Sequence, residues 1–282
     1  MNDPCVGAHV SVAGGLWKLF ENATLIGATC AQIFGSSPRQ WGVKAPSLKD
    51  LDEYKRAREG HKIAPIYLHA AYLVNLGSLD PGIYEKSVMS LVEHLRIAGM
   101  IEADGLIFHL GSYQGKDKAT VLQRVVKGMK SVLEEVPEGP KLLMENAAST
   151  KKIGATPQEL GVLLREIDSS RVGVCVDTAH AFEAGTISLF APPFIQEWIA
   201  LWEKEVGWSR IPVLHINDSK TAYNSQHDRH ENIGEGYIGN EGFLNLAKEG
   251  ALREKSWVLE VPGFANKGPD KKNIDRIKKC FS

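Results

Sequence analysis

Nine residues of the types that hold metal ions stand at or just past the ends of short apolar runs. They are His69, His109, Glu145, Asp177 with His180, His215 and Glu260, followed after the seventh run by the pair in Asp228-Arg229-His230. Each has a bland reading. A single histidine closing an apolar run is ordinarily a hydrogen-bonded structural residue. Asp177-Thr-Ala-His180 fits a helix N-cap with an incidental histidine. Glu145 and Glu260 are less ordinary, because burying an unpaired carboxylate costs several kcal/mol unless a cation or donors compensate it. Six successive runs, the third to the eighth, each close on a ligand type, and chance does not produce that pattern. Asp228 and His230 are alternate residues of an extended segment, so they point the same way and can grip one ion together.

Five imidazoles and four carboxylates without a thiolate suit Zn²⁺, and nine ligands are too many for one tetrahedral ion. Two or three ions follow. Ions on the order of 3.5–4 Å apart would activate a water and clamp the attacking and leaving oxygens of a phosphate displacement. The implied chemistry is phosphodiester hydrolysis. His9 ends the first run and faces the same mouth, whereas His61, His94 and His227 are read as surface or outer groups.

The positioning elements are legible as eight apolar runs: Val6–Val10, Cys30–Phe34, Ile63–Leu68, Leu106–Leu110, Lys141–Met144, Val172–Val176, Pro212–Ile216 and Trp257–Leu259. Each is short enough for a buried parallel strand, and a stretch able to hold a helix follows it. Thr156-Pro157-Gln158-Glu159 combines an N-cap, proline at the first helical position and a capping-box glutamate ahead of the stripe Leu160, Leu163, Leu164, Ile167. Leu122, Val125, Val126, Met129, Val132 and Leu133 form a second stripe, and Ile195, Trp198, Ile199 and Trp202 a third. Strand then helix, eight times, predicts a single α/β domain over residues 1–282, a (β/α)₈ TIM barrel. Active sites of such barrels lie at the C-terminal ends of the strands, where the ligand types fall.

Composition agrees with an ordinary soluble globular protein. With 43% hydrophobic residues the chain can bury a large core. No basic and apolar leader opens it and no apolar run is long enough to span a membrane, so a cytoplasmic protein with no membrane partner is expected. Cys5, Cys30, Cys175 and Cys280 form no C-x-x-C pair and are read as small apolar residues rather than a disulfide framework. A formal charge of −1 gives no general attraction to polyphosphate, so any nucleic-acid binding must come from local patches.

Three long stretches resemble the signatures of the endonuclease IV family: His69-Ala-Ala-Tyr72-Leu73-Val74-Asn75-Leu76-Gly77, Gly173-Val-Cys-Val-Asp177-Thr-Ala-His180, and Leu214-His215-Ile-Asn217-Asp218-Ser219-Lys220 continuing through Asp228-Arg229-His230 to Gly234-Glu-Gly236. The opening Gly7–Gly15 and Arg39-Gln40-Trp41 are similar too. The resemblance implies a monomeric enzyme with three zinc ions that nicks double-stranded DNA 5′ to abasic sites and leaves a 3′-hydroxyl. It also implies a division of ligands. His69, His109 and Glu145 would hold one ion, Glu145 would bridge to a second held by Asp177, His215 and Glu260, and His180, Asp228 and His230 would hold the third. Glu145 and Glu260 become the catalytic carboxylates. Tyr72 and Leu73 match loops inserted into the minor groove, and Arg39, Lys220 and Arg229, with Lys151 near the mouth, would contact phosphates. Leu110, Asn224 and Val261-Pro262 depart from the family pattern, but none replaces a ligand, and an asparagine tolerates the left-handed backbone that glycine supplies.

Two rival readings remain. A divalent-metal sugar isomerase or epimerase also collects Glu, Asp and His at a barrel mouth, yet hard ions favour carboxylates and water over five histidines. A purely structural metal cluster would be closed and thiolate-rich.

Overall fold

The computed structural model describes residues 4–282, so residues 1–3, where the reading of the N-terminus starts, lie outside the described residues. In chain order the elements are β1 (Val6–His9), α1 (Lys18–Leu25), β2 (Ala31–Phe34), α2 (Leu48–Glu59), β3 (Ile66–His69), α3 (Pro81–Met100), β4 (Gly105–Phe108) and α4 (Lys118–Glu135). There follow β5 (Lys141–Glu145), α5 (Pro157–Ile167), β6 (Val172–Asp177), α6 (Thr178–Glu183), α7 (Phe194–Glu205) and β7 (Val213–His215). The chain ends with β8 (Asp218–Ser219), β9 (His230–Glu231), α8 (Gly239–Leu246), α9 (Gly250–Arg253), β10 (Ser256–Leu259) and α10 (Lys271–Lys279).

Eight of the strands close into a barrel in the order β1-β10-β7-β6-β5-β4-β3-β2, and the neighbours are parallel. Strands β8 and β9 form a separate antiparallel pair, Asp218 opposite Glu231 and Ser219 opposite His230, above the mouth. All eight expected runs are strands. The third begins at Ile66 rather than Ile63, just after Pro65, which has no N–H to give a ladder. The fifth and sixth are one residue longer than expected, which makes Glu145 and Asp177 strand residues held by the sheet itself.

The helices follow their stripes: Val125, Met129 and Val132 of α4 and Ile195, Trp198 and Trp202 of α7 are buried. The expected capping box at α5 is only half made. Thr156 caps the helix by accepting from the Glu159 N–H at 3.3 Å, but the Glu159 carboxylate does not return to Thr156. It accepts instead from the Gly154 N–H and the Tyr113 hydroxyl, tying α5 to the preceding loops. Cys30 and Cys175 are buried as expected, while Cys5 and Cys280 are only half-buried, and all four are free thiols. No helix among the described residues is long and apolar enough to cross a membrane.

Alternation along the strands separates two packing zones. Outward residues such as Ile66, Leu68, Leu142, Met144, Val174 and Val176 join the large core between sheet and helices. Inward residues Cys30, Tyr67, Ile107, Leu143, Cys175, Val213 and Val258, with Cys5 packed against them, form a distinct cluster inside the barrel. These come from or adjoin all eight barrel strands, and they make a dry floor. One pleat further along the same strands, two residues on, stand Gln32, His69, His109, Glu145, Asp177, His215 and Glu260. The period-two geometry of a strand therefore lifts one ring of polar side chains onto an apolar floor.

Leu143 occupies the floor between two glycines: a Cβ on Gly105 would lie 2.7 Å from one Leu143 methyl, and one on Gly173 would lie 2.9 Å from the other. Only glycine on both neighbours leaves room for it. Leu143→Ala empties that space beneath Glu145, and equilibrium denaturation should show a loss of about 2–5 kcal/mol. A loss below about 1 kcal/mol would mean that the floor collapses freely and does not support the ring above.

Candidate metal centre

The nine ligand types converge on one mouth. Glu145, on the barrel interior and 1% exposed, touches four histidines. Its Oε2 lies 3.0 Å from His69 Nε2 and 3.6 Å from His109 Nε2. Its Oε1 lies 3.0 Å from His215 Nδ1 and 3.3 Å from His180 Nδ1. His215 Nδ1 is also 3.3 Å from Glu260 Oε2 and 3.9 Å from Asp177 Oδ2. Asp177 Oδ2 in turn faces His230 Nε2 at 3.7 Å. Ligand atoms fall within 4.8 Å of one another in three groups: His69, His109 and Glu145; Glu145, Asp177, His215 and Glu260; and Asp177, His180 and His230. Asp228 adjoins the third group, its Oδ1 lying 3.3 Å from His180 Nε2 and 3.8 Å from His230 Nε2. Asp177 also does the blander job, accepting at 2.8 Å from the His180 N–H as the N-cap of α6.

The xylose isomerase-like TIM barrel family model matches residues 20–280. A protein of Halothermothrix orenii named probable endonuclease 4 is 35% identical over 276 residues, covering 97% of this chain and 99% of that one. The chain belongs to the endonuclease IV family. The crystal structure of endonuclease IV from Thermus thermophilus superposes with a TM-score of 0.86 at 32% identity, covering 98% of each chain. A D-tagatose 3-epimerase-like protein superposes with a TM-score of 0.72 at 19% identity over 98% of this chain and 96% of that one. At that identity the epimerase likeness is one of fold alone.

Three histidines of this endonuclease IV family site present a defined nitrogen. His69 Nδ1 donates to the Ala70 carbonyl at 2.8 Å and His180 Nδ1 to the Asn146 carbonyl at 2.9 Å, which leaves Nε2 of each facing the carboxylates. His215 is reversed: its Nε2 donates to Gln32 Oε1 at 2.7 Å, and Nδ1 faces inward. Outer partners of this kind fix both tautomer and ring orientation for ligation. Among the described residues, His109 Nδ1, His180 Nε2 and His230 Nε2 are buried without a hydrogen-bond partner. The unpaired His180 Nε2 and His230 Nε2, 3.3 and 3.8 Å from Asp228 Oδ1, fit a cation between them.

Electrostatics sort the histidines. Burial pushes His109 down to about 4, so it is neutral near pH 7. Burial also opposes charge on His180, but the Asp177 and Asp228 carboxylates outweigh it and hold His180 well above its ordinary value. Burial would raise Asp228, yet His180 beside it keeps its carboxyl far below the usual range.

Sequence reasoning missed the amides that hold this set. Gln32 donates from Nε2 to Glu260 Oε1 at 2.6 Å while accepting from His215. Asn217 donates to Asp177 Oδ2 at 2.6 Å and accepts from the Glu260 N–H at 2.7 Å. Asn146 Oδ1 accepts from the Asp177 N–H at 2.5 Å. A signal existed for Gln32, which stands two residues past Cys30 in the inward register of the ligands. His9 does approach the site, its Nδ1 3.6 Å from Glu260 Oε1. His94 is not a surface group: it is fully buried in α3, with Nδ1 donating to the Ser90 carbonyl at 2.6 Å and Nε2 3.0 Å from Ser36 Oγ.

The expected DNA contacts divide. Tyr72, Leu73 and Arg229 line an open cavity of 880 Å³ together with His109, His180, Asp228, His230 and Glu260. Tyr72 is 55% exposed and stands edge-on to His69, with ring centres 5.7 Å apart. Its N–H donates to the Pro38 carbonyl at 3.0 Å, which ties it to the loop that carries exposed Arg39. Lys220 is turned to a neighbouring hollow, 3.5 Å from Glu231. The lysine that lines the cavity is Lys152, 3.5 Å from Asp228, rather than Lys151.

A metal ion must displace any proton from the nitrogen it takes. His180, held above its ordinary value, is protonated near pH 7 in protein stripped of metal, so loading with zinc should release at least about one proton. The release shrinks as pH rises through that elevated value, and affinity falls as pH drops. Calorimetry in buffers of different ionisation enthalpy measures it, and loading at pH 7 without proton release would contradict this charge assignment.

Proposed function

We propose that this DNA-repair endonuclease hydrolyses the phosphodiester bond 5′ to abasic sites in duplex DNA, leaving a 3′-hydroxyl and a 5′-deoxyribose phosphate. The reading includes removal of blocking groups from 3′ ends, since the same bond position is then attacked. The observation that carries it is that His109, His180, Asp228, His230 and Glu260 of the ligand set lie in the wall of an open cavity that an exposed aromatic side chain and an arginine also line. His69, His109 and Glu145 would hold one zinc ion; Glu145, Asp177, His215 and Glu260 a second; His180, Asp228 and His230 a third, with Asp177 within reach. Bound zinc supplies Lewis-acid charge that makes water a nucleophile near neutral pH and neutralises the scissile phosphate.

The protein's own groups supply orientation. Glu145 and Glu260 are the catalytic carboxylates, and Gln32 and Asn217 fix Glu260 through a side-chain oxygen and its backbone N–H. A carboxylate held in this way needs no reorganisation as charge develops on the phosphate. Tyr72 and Leu73 enter the minor groove at the lesion, where unstacking is cheapest because a base is absent. Arg39, Lys220 and Arg229 contact phosphates. All the ligands come from one chain, so the reading requires no second copy, and residues 1–282 act as one domain. Four free thiols suit a reducing cytoplasm.

The direct test is a duplex carrying one stable abasic analogue and an end label. The expected product ends immediately 5′ of the lesion in a hydroxyl that a polymerase extends; an unextendable end or a nick 3′ of the lesion would exclude the reading.

Tyr72→Ala combined with Leu73→Ala removes the wedge while leaving metal content intact. Binding to abasic duplex should weaken by roughly 1–3 kcal/mol. Arg39→Ala should weaken binding and reduce the salt slope by about one unit. Parent-like binding and incision by the double variant would reduce these side chains to loop packing.

A further inference from the structure

We propose that Glu183 is a positioning residue that sets the third metal group by clamping both ends of the loop that carries Asp228. The inference rests on the ligand assignment above and concerns a side chain that contributes no ligand atom. Glu183 is the last residue of α6, three residues after His180, and is fully buried. Its Oε1 accepts from Ser219 Oγ at 2.7 Å and Thr221 Oγ1 at 3.2 Å, where the chain leaves β8. The same oxygen accepts from the Arg229 N–H at 3.2 Å, where the chain returns to β9. Its backbone carbonyl accepts from the Gln226 N–H at 3.0 Å in the middle of the loop. One residue therefore contacts the start, the middle and the end of a segment whose strand pairing is only two residues long on each side.

The loop needs such a clamp. Asn224 and Gln226 sit at φ 58° and 63°; an asparagine tolerates this left-handed region, but a glutamine there is strained and must be held by the surrounding structure. Gln226 supplies a second tie, its Oε1 accepting from the Thr150 N–H at 2.7 Å and its Nε2 donating to Asn224 Oδ1 at 2.7 Å. Without the Glu183 oxygen, the Arg229 N–H would lose its acceptor, and the Ser219 and Thr221 hydroxyls would keep only acceptors within the loop itself, the Thr221 and His227 carbonyls. His180 and Glu183 share one helix turn, so the helix that carries one ligand also sets its distance to the 3.3 Å Asp228 contact and to His230. The Glu183 Oε2 has no hydrogen-bond partner among the described residues, so the clamp works through a single oxygen. A glutamine, which keeps that oxygen, should therefore replace it.

The test compares the parent, Glu183→Ala and Glu183→Gln by hydrogen exchange of the 220–230 segment in chelated protein, then by metal content after zinc loading. Glu183→Ala should exchange at least about tenfold faster in that segment alone and hold one ion fewer, with kcat reduced and KM little changed, while Glu183→Gln matches the parent. Should Glu183→Ala not fold, Ser219→Ala removes one donor and should accelerate exchange in the same segment. Parent-like exchange and full metal content in Glu183→Ala, or a Glu183→Gln variant as impaired as Glu183→Ala, would overturn the proposal. A parent that holds no zinc or spares abasic DNA would instead overturn the functional reading, because the exchange comparison uses protein without metal.

Discussion

A carboxylate at the centre of a barrel organises this protein. Glu145 is almost without solvent contact and lies within 3.6 Å of nitrogens on four histidines from four different elements or their ends. An ionised carboxylate in such a place is costly unless cationic or polar partners surround it. Here the partners are four histidines; the inward nitrogens of His69, His109 and His215 can serve a metal as readily as a proton, whereas His180 Nδ1 is held by the Asn146 carbonyl. The site's need for cationic or polar partners thus follows from burial, before any particular chemistry is assigned to it.

The barrel makes the arrangement possible through alternation. An apolar ring of side chains fills the interior, and the next inward ring carries the polar ones. Because the ring below is dry, the polar groups can point only at one another or at the mouth. Amides complete the set: Gln32, Asn146 and Asn217 each bond a candidate ligand, and neutral donors and acceptors do this without adding charge to a crowded electrostatic field. The β8–β9 pair and its loop bring in Asp228 and His230, which no barrel strand could supply.

Much of this is legible in the sequence, and the reason is geometric. A buried parallel strand is a short apolar run, and its last inward residue lies where barrels keep their chemistry, so His69, His109, Glu145, Asp177, His215 and Glu260 announce themselves. Residues that act through others do not. Asn217 lies inside a recognised signature and Gln32 in the inward register of its strand, yet neither is a metal ligand type. Glu183 looks like an ordinary helix acid until the loop folds over it. The carboxylate of Glu159 fits a capping box locally, but tertiary donors at Gly154 and Tyr113 compete for it and win. His94 reads as a helix-surface histidine because a helical stretch does not reveal which side the loop after β2 covers. Asn224, by contrast, does adopt the left-handed backbone expected of a residue standing in for glycine.

Anomalous diffraction at the zinc absorption edge from crystals of the zinc-loaded protein measures the central claim most directly. Three peaks are predicted: one bounded by His69, His109 and Glu145, one by Glu145, Asp177, His215 and Glu260, and one by His180, Asp228 and His230. A map with no peak beside Glu145 would show that its four histidines satisfy it unaided, and the account of the site as a metal centre would fail.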